Sequence, residues 1–111
     1  MALLAQQQVV QTGLQPTYVA AAGGGDTVIP DEDVFIHIRN GGGGAITATV
    51  VTPGVGPGGV AVPDIPVASI PATTGAAFVG PLNAALADPT TGLVSITYSG
   101  VTTVTVAAIR M

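Results

Sequence analysis

Residues 33–51 read "DVFIHIRNGGGGAITATVV", and two readings compete for this stretch. Val34, Ile36 and Ile38 alternate with Phe35, His37 and Arg39, and after the glycines Ile46, Ala48 and Val50 alternate with Thr47, Thr49 and Val51. A period of two with β-branched residues on one side is the pattern of a half-buried strand. A run of glycines after a strand also opens the phosphate-binding loops of nucleotide enzymes. Those loops need either a Gly-Lys-Ser/Thr ending or a G-x-G-x-x-G that leads into a helix. This chain has no lysine, and its glycines lead into a second strand. Asn40-Gly41 is instead a strong hairpin signal, because both residues tolerate positive φ. The expectation is two antiparallel strands joined by a tight turn.

The same alternation recurs toward the end of the chain. "GLVSITYSG" (92–100) sets Val94, Ile96 and Tyr98 against Ser95 and Thr97, and "VTTVTVAAI" (101–109) sets Val104, Val106 and Ala108 against Thr103, Thr105 and Ala107. Weaker strand candidates are 16–21, 59–62, 67–70 and 76–80. Gly- and Pro-rich turn signals separate these segments by about eight to fifteen residues, the spacing of sandwiches and barrels. "PLNAALADP" (81–89) is the one helical candidate, with Pro81 suited to a first helical position and Pro89 ending it after one or two turns. The fold class expected is all-β, a single antiparallel β-sandwich or compact barrel. Residues 1–15 have no clear period and read as an extended N-terminal arm, leaving 16–111 as the sandwich domain.

Composition narrows function further. Leu, Ile, Val and Phe supply 32 of 111 residues, enough for a core and above the range of disordered chains. Arg39 and Arg110 are the only basic residues beside six acids, a net charge of −4. Nucleic-acid binders neutralise phosphates with clustered Lys and Arg, so no nucleic-acid partner is expected. The absence of cysteine excludes disulfides, thiolate metal sites and thiol nucleophiles. The opening "MALLAQQQVVQ" lacks a basic region and glutamines interrupt its apolar run, which reads as cytosolic synthesis. No stretch approaches the roughly 20 apolar residues of a membrane helix, so no membrane partner is expected.

The candidate sites are sparse. His37 is the single histidine, and Ser69, Ser95 and Ser99 are the only serines, none in a nucleophile motif. Catalysis is not expected. Phe35, His37 and Arg39 share one strand face and read instead as a contact surface, aromatic and arginine residues being favoured interface anchors. Asp26, Asp31, Glu32 and Asp33 put four carboxylates in eight residues, but not at the spacing of a calcium loop. A solvated acidic turn is the plainer reading, and no metal or cofactor is expected. Leu3, Leu4, Val9, Val10 and Leu14 would give the arm apolar anchors for a partner.

The whole chain also resembles a group of small tailed-bacteriophage structural proteins, the head decoration or capsid cement proteins. The likeness rests on "MALLAQQQVVQTGLQPTYVAAAGGGDTVIPDEDVFIHIRNGGGG", "ITATVVTPG" and the closing "GLVSITYSGVTTVTVAAIRM". It implies a non-enzymatic virion protein on the capsid surface, made in the host cytoplasm, with the major capsid protein as partner and a homotrimer as the self-associated state. On that reading the arm and the Phe35/His37/Arg39 face would touch the shell or a neighbouring subunit. A phage neck or tail component is an alternative within the same class. A different class is a β-sandwich module for carbohydrate or cell surfaces, which would need exposed aromatics or a calcium site; the chain has four aromatics, Tyr18, Phe35, Phe78 and Tyr98, and no tryptophan, which makes this the second reading.

Overall fold

In the computed structural model, which describes residues 2–52, 57–59, 64–66 and 69–111, the alternating segments become strands with their β-branched rows turned inward. β1 (Ala2–Leu3), β2 (Gln6–Gln8), β3 (Val19–Ala20), β4 (Asp26–Val28) and β5 (Val34–Asn40) make up the first half. β6 (Ala48–Val51), β7 (Ile65–Pro66), β8 (Gly75–Val79), β9 (Val94–Tyr98) and β10 (Val104–Arg110) make up the second. They form two sheets, one in the order β1-β4-β9-β6-β7 and the other β2-β10-β5-β8, with β3 also against β10. The fold is an all-β sandwich. The core lies between the two inner faces, as sandwich packing requires. Val34, Ile36 and Ile38 of β5 and Val104, Val106 and Ala108 of β10 meet Val28, Ala48, Val50, Val94 and Ile96 from the other sheet.

β10 and β5 form the longest ladder, antiparallel over seven residue pairs from Val104↔Asn40 to Arg110↔Val34. β8 continues this sheet on the far side of β5, with His37 opposite Phe78. The other edge of β10 is shared. β3 covers Thr105 and Val106 in antiparallel register, and β2 takes over at Ala108–Arg110 in parallel. β1 is likewise parallel to β4, so the sandwich is mixed at its margins rather than wholly antiparallel.

The glycine run does not make the expected hairpin. β5 and β6 lie in different sheets, and the chain crosses between them. Gly41 and Gly42 are not in the positive-φ region that makes Asn-Gly a hairpin turn. Asn40 is buried and acts as a hub: its Oδ1 accepts from the Gly42 amide at 3.0 Å, while its Nδ2 lies 2.9–3.2 Å from the carbonyls of Gly44, Ile70 and Pro71. Gly42 is needed for approach, since a Cβ there would lie 2.7 Å from the Thr102 carbonyl oxygen. Ile46 then bridges Ile70 in antiparallel fashion just before β6.

The opening segment also departs from expectation. Residues 2–9 are not a free arm: β1 joins one sheet, β2 the other, and Leu4 between them is 5% exposed in the core. Leu4 donates its amide to the Thr27 carbonyl, and Val9 donates to that of Arg110. Gln7 closes the following loop by gripping the Thr17 backbone, donating to its carbonyl and accepting from its amide. Within 81–89, Pro81 follows a cis peptide bond, and the helical element is one 3₁₀ turn, Ala84–Leu86, capped by Asn83. Of the weaker strand candidates, 16–21 contains β3 and 76–80 overlaps β8, while 60–62 and 67–68 lie outside the described residues.

Candidate functional site

Because β5 buries Val34, Ile36 and Ile38, it must turn Phe35, His37 and Arg39 to the opposite side of its sheet. The register sets the neighbours of that outer row. Across β8, Phe78 stands opposite His37, and Ala76 opposite Arg39. Across β10, Ile109 stands opposite Phe35, Ala107 opposite His37, and Thr105 opposite Arg39. Tyr18 reaches the same face from the segment that leads into β3.

These side chains contact one another. The His37 and Phe78 rings stack at 4.3 Å with an 11° tilt, and Phe35 meets Phe78 edge to face at 5.8 Å. Tyr18 meets His37 edge to face, with its hydroxyl 2.5 Å from His37 Nδ1. The Arg39 guanidinium sits 5.0 Å from the Tyr18 ring centroid, a cation–π distance. Burial, and secondly the Arg39 charge, hold the His37 pKa below its ordinary value. The imidazole is therefore neutral at pH 7, and its Nδ1 shares one hydrogen bond with the Tyr18 hydroxyl. Arg39 and Phe78 are both exposed, Phe78 at 71%, which is large for a phenyl ring.

The face therefore gathers three of the four aromatic residues, the single histidine and one of the two arginines. At its end near Phe35 an open cleft of about 390 Å³ is lined by Glu32, Asp33, Val34, Phe35, Phe78, Gly80 and Pro81. Gly80 lets the backbone pass Phe35 closely, since a Cβ there would come within 2.7 Å of the Phe35 Cβ.

The expected contact residues are thus divided. Phe35, His37 and Arg39 share the face. Tyr18 and Phe78 join them without having been anticipated, because their approach depends on pairings between segments far apart in sequence. Phe78 did lie in a weak strand candidate, but its side was set only by the β5–β8 register. Among the arm residues, Leu3, Val9 and Val10 are exposed and Leu14 is half-buried, whereas Leu4 is a core residue and no contact anchor.

The acidic segment also divides. Asp26 is fully buried on the inner face of β4, where its Oδ2 accepts from the Tyr98 hydroxyl at 2.7 Å and from the Ala22 amide at 3.3 Å. Asp31 turns inward on its own loop, its Oδ1 accepting from the Asp33 amide. Glu32 and Asp33 are exposed. Among the described residues no group of three or more His, Asp or Glu side chains could hold a metal ion, and no helix is long and apolar enough to cross a membrane. No protein-family model, characterised protein or solved structure matches the chain.

Proposed function

We propose that this is a structural virion protein that binds the outer surface of a phage capsid and cements the shell, with the outer face of the β10-β5-β8 sheet as its contact surface. The observation that carries the reading is the convergence of Tyr18, Phe35, His37, Arg39 and Phe78 on one face. The chain has few aromatics and spends most of them outside its core. Aromatic and arginine side chains at the centre of a patch are the groups that dominate protein–protein binding energy. Rings already stacked on one another lose little conformational freedom on docking.

A cement protein acts by linkage: it binds the assembled shell and not the free subunits, so each copy shifts the equilibrium toward assembly. Symmetry repeats the contact around each axis. The major capsid protein is the partner in this reading, and a homotrimer on three-fold positions is the state that places identical faces around the axis. The lack of lysine and the net charge of −4 leave little attraction to DNA.

The test is co-sedimentation with capsids stripped of the protein, scored as copies bound per shell. Saturation at a number commensurate with the lattice is the expected result. Phe78→Ser should abolish binding while leaving the fold intact, because that ring is mostly in solvent. Folded protein that fails to bind stripped shells would overturn the reading. The exposed Phe78 ring beside a cleft also suits stacking on a sugar, and binding to a glycan array would favour a carbohydrate module instead.

A further inference from the structure

We infer that the cleft beside Phe35 and Phe78 receives a lysine or arginine side chain from the docked partner. The inference rests on the outer sheet face being a docking surface, and it names the chemistry of the group that enters it. Two phenyl rings at 5.8 Å and 66° supply π surface in the cleft, and Glu32 and Asp33, both exposed, line it with negative charge. A long cation with an apolar stem satisfies both: its methylenes pack on a ring and its charged head meets carboxylate. A purely apolar anchor would bury against the rings but leave the two acids desolvated without a partner, which is costly.

The chain does not fill this place from its own basic residues. Arg39 is held over Tyr18 at the other end of the face, and Arg110 belongs to the inward row of β10 with Val104, Val106 and Ala108. The chain has no lysine. Charge complementarity therefore points outward, to a basic side chain on another molecule. A neutral sugar would use the rings and could hydrogen-bond the acids, but would leave their charge uncompensated.

The experiment is an NMR titration of the isotope-labelled full chain with N-acetyl-arginine methylamide. Its neutral isostere N-acetyl-citrulline methylamide and maltotriose are run alongside. The arginine probe should move the resonances of residues 32–35 and 78–81. It should do so at least fivefold more tightly than citrulline, with the preference lost in Glu32→Gln/Asp33→Asn and binding lost in Phe78→Ser. Equal binding of arginine and citrulline, or shifts located elsewhere, would overturn the inference. Maltotriose moving the same resonances in place of arginine would reassign the cleft to carbohydrate. Shell binding that persists without arginine binding would remove this inference and leave capsid decoration standing. Arginine binding without shell binding would do the reverse.

Discussion

The Tyr98 hydroxyl crosses the inner face of its sheet to donate a 2.7 Å hydrogen bond to Asp26, a carboxylate with no solvent exposure. The two residues are 72 positions apart and lie on adjacent strands, β9 and β4. Asp26 Oδ1 is buried with no hydrogen-bond partner among the described residues, so Oδ2 carries the solvation of the whole group. Burial first, then the hydrogen bond to Asp26 and its charge, push the Tyr98 pKa far up, and the phenol keeps its proton. Tyr98→Phe should therefore cost about 1.5–3 kcal/mol, the range for a buried hydrogen bond to a charged group. Denaturant unfolding would measure it. A loss below about 0.5 kcal/mol would mean that Asp26 is solvated by another route.

Gly75 begins β8 where the chain doubles back on Pro71. A Cβ at this position would lie 2.0 Å from the Pro71 carbonyl oxygen and 2.7 Å from its nitrogen, and both are backbone atoms. Gly75→Ala must therefore displace the start of β8 or the Pro71 backbone it packs on, and should cost at least the roughly 1–3 kcal/mol of an overpacked site. Gly43→Ala is the matched control, since nothing lies within 4 Å of its added carbon, and it should stay within about 0.5 kcal/mol of the parent. The comparison requires denaturant midpoints at an unchanged m-value.

The strands themselves were legible because alternation is a local signal. β5, β9 and β10 could be found in windows of five to seven residues, and their inward rows are those that burial selected. The sheet that each strand joins is not local information. Asn40-Gly41 carries a strong short-range turn signal, yet two of the carbonyls that hold the Asn40 amide belong to Ile70 and Pro71, thirty positions away. Those contacts convert the expected hairpin into a crossing between sheets. The aromatic face was half legible for the same reason: the period of β5 placed Phe35, His37 and Arg39 together, but only the pairing of β8 and the docking of residues 17–20 bring in Phe78 and Tyr18.

Leu3 and Leu4 show how little composition says about a neighbouring pair. Leu3 is 56% exposed and Leu4 is 5% exposed, because the chain steps from one sheet to the other between β1 and β2 and drops a single side chain into the core. Leu4→Ala should destabilise the fold by about 2–5 kcal/mol, as deletion of a buried leucine does. Leu3→Ala should leave stability within about 0.5 kcal/mol. A truncation lacking residues 2–14 would remove both margin strands and this core side chain, so it should lower the melting temperature as well as any association. An unchanged melting temperature would show that residues 2–9 dock without supporting the fold.

His37 makes part of the stability depend on pH, and the sign follows from its environment. Burial and the Arg39 charge lower its folded pKa below the ordinary value of 6.5, so between the two values the unfolded chain binds more protons than the folded one. Stability rises with pH wherever that holds. The His37 contribution is thus fully present above about pH 6.5 and is lost as pH falls toward the depressed folded value. Protonation also sets a second positive charge beside Arg39. Carboxylates titrate in the lower part of this window, so the useful quantity is a difference. Subtracting the unfolding free energy of His37→Gln from that of the parent, from pH 8 to pH 5, should leave a curve that is flat above about pH 7 and falls below it. A difference that stays flat, or rises on acidification, would mean that the folded protein holds the imidazolium at least as well as water does.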